Sequence, residues 1–204
     1  MNKKIVGIVG SYRKGGIIDT AVSAILKAAE DHGVKTEKIY LIDKHIEFCT
    51  NCRKCTQENK GIRRGKCVHN DDMEQILTKI DDADALVLGS PVNFFSVTAI
   101  TKRFIERLLV FSYWPWDMKI PKYRVKKLHK KAVIITSSGC PAWLGRIFFP
   151  GVLSLLKTAA KCMGAKVITS LYFGPVCLKQ DQQLARKDLL AAYKAGEKLA
   201  VWHT

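Results

Sequence analysis

The amino-acid sequence predicts a doubly wound α/β domain, in which helices cover both faces of a five-stranded parallel sheet. Three observations support this. Short runs rich in Val, Ile and Leu recur along the 204 residues, as in strands that are buried on both faces. Stretches with apolar side chains at helical spacing separate these runs. Strands that alternate with helices imply right-handed crossovers and therefore a parallel sheet.

The predicted elements follow one another in regular order. A β-branched run at 4–11 is the first strand, and a helix follows over 19–32. Asp19 or Thr20 is a plausible N-cap of this helix, and Gly33 is its stop signal. The remaining predicted strands cover 36–43, 85–92, 131–139 and 165–174, and the remaining predicted helices cover 70–83, 97–111, 148–164 and 178–202.

Two segments interrupt the alternation. One is a cysteine-rich insert at about 48–68, and the other is an aromatic loop at about 112–123 with two prolines and two tryptophans. Prolines at that density make a helix unfavourable in the loop. The loop is either packed on its own rings or acts as a flap over a ligand or a partner subunit. Residues 1–204 are otherwise expected to form one domain, since the chain contains no linker or repeat.

Composition limits the function classes. Lys and Arg number 34 against 18 Asp and Glu, a formal charge of +16, which attracts phosphate-bearing molecules. Nucleic acid is not an expected partner, because no recognition motif accompanies the charge. There is no signal-peptide core and no apolar run of about 20 residues. Seven cysteines in such a chain indicate reduced thiols or metal ligands, so the predicted location is cytoplasmic, with no membrane partner.

The loop after the first strand has the features of a phosphate site. Ligands of an open parallel sheet bind at the carboxyl ends of the strands. There the sequence GSYRKGGIIDT supplies glycines for tight turns, hydroxyl and cationic groups, and the amides at the start of a helix. The candidate anion ligands are Ser11, Arg13, Lys14, Gly15, Gly16 and Thr20.

Two further strand ends supply a flat surface and a polar edge. After the third strand come Pro91, Val92, Asn93 and Phe94, and after the fourth come Thr136, Ser137, Ser138 and Gly139. An anion site, an aromatic wall and a polar edge together suit a flat heterocycle that carries one phosphate. FMN is such a molecule.

The segments GSYRKGG, GKCVHNDDM and GSPVNFFSVTAITKRFIERL strongly resemble the NAD(P)H-dependent FMN reductase branch of the flavodoxin-like superfamily, and within it the iron–sulfur flavoproteins. The resemblance implies a flavodoxin-like fold with strand order 2-1-3-4-5, and a homodimer or homotetramer. It also implies that Ser11, Arg13 and Thr20 hold the FMN phosphate. Pro91 to Phe94 would line one side of the isoalloxazine and Ser137 to Gly139 its other edge.

The chain also departs from these relatives. They often have Tyr in place of Asn93 and Gly in place of Phe95. In addition, Ile17 and Ile18 read as two extra residues that lengthen the phosphate loop.

The cysteine-rich insert allows three interpretations. Cys49, Cys52 and Cys55 have the C-x2-C-x2-C spacing of a ferredoxin-type [4Fe–4S] site, and Cys67 is the candidate fourth ligand. The long gap before Cys67 is compatible with closure, because closure entropy rises slowly with loop length. Four thiolates also suit a structural zinc ion. The third interpretation is that the cysteines hold no metal.

The sequence therefore predicts an FMN-dependent NAD(P)H oxidoreductase. A hydride would pass from NAD(P)H to N5 of the flavin, and electrons would then pass to a quinone, a flavin or another small acceptor. No side chain is predicted as a general acid or base, since the flavin does the chemistry. The alternative is an iron–sulfur flavoprotein or flavodoxin-type carrier that exchanges electrons with a protein partner.

Overall fold

The computed structural model describes residues 3–57, 61–125 and 127–201, and its central feature is a five-stranded parallel sheet. The strands lie in the order β2-β1-β3-β6-β7, which confirms the predicted 2-1-3-4-5 pattern of a flavodoxin-like fold. Their bounds are β1 Lys4–Val9, β2 Lys35–Tyr40, β3 Ala85–Gly89, β6 Lys130–Ser137 and β7 Ala165–Phe173, while β4 Ser112–Tyr113 and β5 Lys122–Tyr123 form a separate antiparallel pair.

Helices cover both faces of the sheet. Alternate residues of β1 show why: Ile5 and Val9 pack against α1 and α7, whereas Val6 and Ile8 face α3, α4 and α6. Each side of a strand buried on both faces must therefore be apolar. The helices are α1 Ile17–Asp31, α2 Lys54–Gln57, α3 Met73–Asp82, α4 Ala99–Arg107, α5 Ala142–Phe148, α6 Pro150–Cys162 and α7 Arg186–Val201, with 3-10 turns at Leu41–Asp43 and Leu108–Phe111.

Several predicted boundaries were wrong, for local reasons. The first helix begins at Ile17 with Gly16 as its N-cap, so neither Asp19 nor Thr20 caps it. The helix predicted over 148–164 is α6, which begins at Pro150 and ends at Cys162. A separate short helix, α5, precedes it and was not predicted. The last helix begins at Arg186 rather than at 178, and the preceding residues form a loop.

The aromatic loop contains no helix, which agrees with the prediction from its prolines. It contacts the cysteine-rich insert. Its ends pair as β4 and β5. The indole nitrogen of Trp114 donates to the Met118 carbonyl at 2.7 Å, and the Trp114 amide donates to the Thr56 carbonyl at 3.0 Å. Within the described residues, no helix combines the length and apolar character that a bilayer-spanning segment needs.

A buried lysine joins the start of β6 to the end of α3. Lys130 is 2% exposed, and its ammonium donates to the carbonyls of Ile80 and Asp81 at 2.8 Å and also to that of Ala83. Burial lowers the pKa of Lys130 to about 8. The last carbonyls of a helix lack intrahelical donors, so this side chain serves as the C-terminal cap of α3.

Replacing Lys130 with Met is expected to destabilise the protein. The change keeps the apolar stem but removes the donors of the carbonyls at the end of α3, at a cost of about 1–3 kcal/mol in the free energy of unfolding. Urea denaturation of the wild type and Lys130→Met measures it. Lys166→Met, at an exposed position of β7, is the control. Equal stability of the two variants would contradict the capping role.

Candidate functional site

The loop between β1 and α1 is compact and polar. The Ser11 hydroxyl accepts a hydrogen bond from the Arg13 amide at 3.1 Å, and Gly15 has φ +73°, which favours glycine. Gly16 offers no side chain to cap α1. The amides of the first helical turn therefore face this loop without an acceptor from the N-cap side chain, which is the arrangement that binds anions.

Buried Asp19 holds the loop from inside the helix. Its carboxylate accepts hydrogen bonds from the Gly15 amide at 2.6 Å, the Lys38 ammonium at 2.9 Å and the Tyr40 hydroxyl at 3.1 Å. Burial alone would raise the pKa of Asp19, but the Gly15 amide, Lys38 and Tyr40 together lower it. Asp19 is thus an ionised structural group beneath the loop.

Hydroxyls of α4 anchor the end of β1. The Gly10 carbonyl accepts from Thr98 Oγ1 at 2.7 Å and from Thr101 Oγ1 at 3.1 Å. A Cβ at position 10 would lie 1.9 Å from Thr101 Oγ1, so only glycine fits there. The Gly10 amide donates to the Gly89 carbonyl at 2.7 Å, and the ends of β1 and β3 are held side by side.

The end of β3 presents two phenylalanines on a tight turn. The backbones of Asn93 and Ser96 exchange hydrogen bonds of 2.8 and 3.1 Å. Between them Phe94 and Phe95 have φ of 43° and 64°, a left-handed conformation that costs roughly 1–2 kcal/mol for a non-glycine residue. Phe94 is 95% exposed, whereas the Phe95 ring lies 5.4 Å from that of Phe149. Strained backbone and exposed apolar rings at a strand end indicate a ligand-facing surface.

The end of β6 completes the arrangement. The Val92 amide donates to the Ser137 carbonyl at 2.7 Å, which ties this end to that of β3. The Ser138 hydroxyl lies 3.2 Å from Cys140 Sγ. A Cβ at Gly139 would lie 2.6 Å from Cys177 Sγ, so a side chain there would require the exposed Cys177 to shift.

A cleft of about 150 Å³ joins the three strand ends. That volume suits one phosphate-sized group rather than a whole flavin, for which pockets of roughly 300–1,000 Å³ are usual. The exposed Phe94 stands at the end of the neighbouring strand, beyond these lining residues. The cleft is lined by Ser11, Arg13, Gly16, Ile17, Ile18, Pro91, Ser137, Val176, Gln180 and Gln182.

Some predicted ligands point elsewhere. The Lys14 ammonium pairs with Asp43 at 2.7 Å. Thr20 lies one turn inside α1 and donates to the Gly15 carbonyl at 3.2 Å. Thr136 is fully buried and does not line the cleft. Ile17 and Ile18 lie in the first turn of α1 rather than in the loop itself.

The loop before α7 forms a further wall of the cleft that the sequence did not predict. Val176, Gln180 and Gln182 lie in the loop before α7, and the helix predicted over 178–202 wrongly includes the two glutamines. The Arg13 guanidinium donates to the Gln180 carbonyl at 3.4 Å. The run GPVCLKQDQQ contains a proline and lacks helical apolar spacing, and this was the signal available for a loop.

The four cysteines of the insert lie in one neighbourhood. Burial raises the pKa of the Cys55 thiol to about 11, and the nearby thiols of Cys67, Cys49 and Cys52 add to the effect. The Arg107 guanidinium, paired with Asp71 at 2.6 Å, also interacts with Cys67. Among the described residues no group of three or more His, Cys, Asp or Glu side chains is arranged to hold a metal ion; residues 58–60 of the insert lie outside them.

The family comparison gives one match that spans most of the chain. The family model described as NADPH-dependent FMN reductase matches residues 3–173. A curated iron–sulfur flavoprotein of Archaeoglobus fulgidus is 38% identical over 112 residues, 55% of this chain and 48% of the relative. One of Methanocaldococcus jannaschii is 39% identical over 104 residues, 51% of each chain. The chain thus spans about half the length of the curated relatives it matches.

Solved structures agree on the fold. An NAD(P)H:quinone oxidoreductase from Methanothermobacter marburgensis has a TM-score of 0.70 at 20% identity and covers 100% of this chain and 98% of its own. An azoreductase from Bacillus anthracis has a TM-score of 0.68 at 13% identity and covers 97% and 98%. At these identities the likeness establishes the flavodoxin-like fold alone.

Replacing Asp19 with Asn is expected to loosen the loop. Loss of the ionised acceptor should lower the free energy of unfolding by about 1–3 kcal/mol at pH 7. Because the folded-state pKa is below the ordinary value near 3.9, this stabilisation is present above about pH 4 and disappears as the pH falls through the folded pKa. The difference between wild type and variant should therefore shrink in acid.

Urea denaturation at pH 7 and in steps below pH 4 measures this difference. The control is Asp82→Asn, at an exposed position at the end of α3. The role given to the carboxylate would be contradicted if Asp19→Asn were as stable as this control at pH 7. It would also be contradicted if the loss of unfolding free energy persisted unchanged in acid.

Proposed function

Because the chain belongs to the NADPH-dependent FMN reductase family, we propose that it is an oxidoreductase that binds FMN at the carboxyl ends of β1, β3 and β6 and takes reducing equivalents from NAD(P)H. The observation that carries the proposal is the cleft in which Ser11, Arg13, Gly16, Pro91 and Ser137 meet. Three strand ends converge there on hydroxyl, cationic and backbone groups that suit a phosphate.

In this proposal the phosphate is held by Ser11, Arg13 and the first amides of α1. Ile17 and Ile18 contribute no hydroxyl at the helix start. Backbone amides and the Arg13 guanidinium would therefore donate most of the hydrogen bonds to the phosphate. Thr20 and Lys14 act behind the loop, through Gly15 and Asp43. They support its shape rather than touch the anion.

The ring system would lie against the rims of β3 and β6. Pro91, Val92, Asn93 and Phe94 offer a stiff turn and an exposed apolar face, and Ser137, Ser138 and Gly139 offer polar groups and a close backbone approach. The chemistry that FMN supplies when bound is acceptance of a hydride from NAD(P)H and release of electrons to a quinone, a flavin or another acceptor. The chain's +16 charge favours the approach of a phosphate-rich nucleotide.

We further propose that Cys49, Cys52, Cys55 and Cys67 hold a [4Fe–4S] cluster. The C-x2-C-x2-C spacing, the nearness of the Cys49, Cys52 and Cys67 thiols to that of Cys55 and the names of the matched relatives support this interpretation. It carries the second candidate function, exchange of electrons with a protein partner. Metal analysis of anaerobically purified protein separates iron and sulfide from zinc or from no metal.

The reductase proposal is tested by mixing FMN-loaded protein with NADPH, and in parallel with NADH, in the absence of oxygen. The expected result is that the visible absorbance of the flavin is lost soon after the nucleotide is added. A flavin that remains oxidised with both nucleotides, yet is bleached by dithionite, would overturn the reductase function. The electron-carrier alternative would then remain.

Replacing Arg13 with Ala should weaken FMN binding by about 10- to 150-fold, since a charge-assisted hydrogen bond contributes roughly 1.5–3 kcal/mol. Riboflavin lacks the phosphate, so its affinity should not change. Titration of the apoprotein with each flavin, followed by fluorescence quenching, measures both affinities. Arg186→Ala, an equal charge change at the exposed start of α7, is the control. Equal losses for both flavins would show that Arg13 does not contact the phosphate.

A further inference from the structure

The turn that carries the first three cysteines of the insert has an unusual backbone. Asn51 and Arg53, on either side of Cys52, have φ of 53° and 58°. Left-handed conformations are unfavourable for residues with a Cβ, particularly for a long side chain such as arginine. Such a backbone persists only where its surroundings determine it.

The Arg53 side chain contacts the aromatic loop. Its guanidinium carbon lies 3.8 Å from the centroid of the Trp114 ring and 4.4 Å from that of Trp116. The same group donates to the carbonyls of Trp114 at 2.7 Å and Pro115 at 3.2 Å. A planar cation that stacks on aromatic rings and forms two directed hydrogen bonds fixes both position and orientation.

The backbone beside Arg53 is joined to the same loop. The Trp114 amide donates to the Thr56 carbonyl at 3.0 Å. The Trp114 carbonyl also accepts hydrogen bonds from the Thr56 hydroxyl at 3.0 Å and from the side-chain amide of Gln57 at 3.1 Å. Helix α2, which contains Cys55, therefore lies directly against the loop.

We propose that Arg53, Trp114 and Trp116 form a clamp that fixes the strained cysteine turn and so sets the positions from which Cys49, Cys52 and Cys55 can approach one metal site. The three are positioning residues that act on a metal site through the backbone, and the proposal rests on the proposed metal-binding role of the cysteines. It assigns to the aromatic loop a function as the support of the insert.

Without the clamp the strained turn relaxes. Asn51 and Arg53 would return to ordinary backbone conformations, and Cys49 and Cys55, which flank Cys52, would lose their fixed relative positions. A four-thiolate site depends on all of its ligands being placed at once, so the variants should form a weaker and less persistent site. The sheet and the cleft at its carboxyl ends should be unaffected, because Arg53 and both tryptophans are absent from that cleft.

The test compares wild type with Arg53→Ala, Arg53→Lys and Trp116→Ala. Lysine keeps the charge but loses the planar stack, and Trp116 is 65% exposed, so its replacement carries little risk to folding. The matched controls are Lys54→Ala, at the next position of the turn, and Trp143→Ala, whose ring is 66% exposed. Each protein is reconstituted anaerobically with ferrous iron and sulfide, and loss of iron to a chelator is then timed.

We expect iron loss about tenfold faster in Arg53→Ala and Trp116→Ala, an intermediate rate in Arg53→Lys, and wild-type rates in both controls; the tenfold scale corresponds to about 1.4 kcal/mol at 25 °C. Wild-type rates in Arg53→Ala and Trp116→Ala would overturn the clamp. So would equal acceleration in the controls, which would indicate general loosening.

A metal-free readout separates the clamp from the proposals on which it rests. Alkylation of the buried Cys55 thiol, followed by mass spectrometry, should be about tenfold faster in the two alanine variants, the same factor as for iron loss. Equal alkylation would overturn the clamp even if a cluster binds. Wild type that takes up no iron and sulfide would overturn the metal role of the clamp. Bleaching of FMN by NADPH in the same samples tests the flavin proposal independently.

Discussion

The candidate site depends on the way the end of β1 is pinned to the start of α4. The Gly10 carbonyl accepts two threonine hydroxyls, and its amide pairs with Gly89. These contacts are short and buried, and they leave no room for a Cβ at position 10. Since the loop that begins at Ser11 departs from this point, its amides and hydroxyl acquire a defined position relative to the ends of β3 and β6. A parallel sheet places the strand ends side by side, and the contacts of Gly10 fix the loop that forms one wall of the cleft between them.

Backbone strain is concentrated in two segments outside the sheet. Phe94 and Phe95 adopt left-handed conformations at the rim of the cleft, and Asn51 and Arg53 do so around Cys52. In each segment aromatic contacts support the strained turn, through Phe149 in the first and through Trp114 and Trp116 in the second. The rest of the site relies on ordinary geometry, with a charged network around Asp19 beneath the loop. Among residues 3–57, 61–125 and 127–201, the non-glycine residues with positive φ all lie on the surfaces proposed to face a flavin and a metal.

The sequence predicted the sheet well because its strands are apolar on both sides and its helices have one apolar face. Val6 and Ile8 face one layer while Ile5 and Val9 face the other, and helices on both faces of a parallel sheet bury both sets. Boundaries were predicted less well where local signals competed. Proline is favoured in the first turn of a helix and unfavourable further inside, so Pro150 marks the start of α6. The residues from 178 to 185 resemble a helix in composition, but they form the loop beside Arg13.

By itself the sequence determined the alternation of strands and helices, the glycine-rich turn after β1 and the cysteine-rich insert, because these follow from periodicity and spacing along the chain. The order of the strands in the sheet was expected only from the resemblance to a known family. Only the tertiary structure decided which groups meet. It directed Lys14 to Asp43 and buried Thr136, and it brought Gln180 and Gln182 to the cleft. It also placed two tryptophans more than 60 positions along the chain against Arg53. Side-chain direction depends on packing between segments distant in the chain, and local patterns carry no information about those contacts.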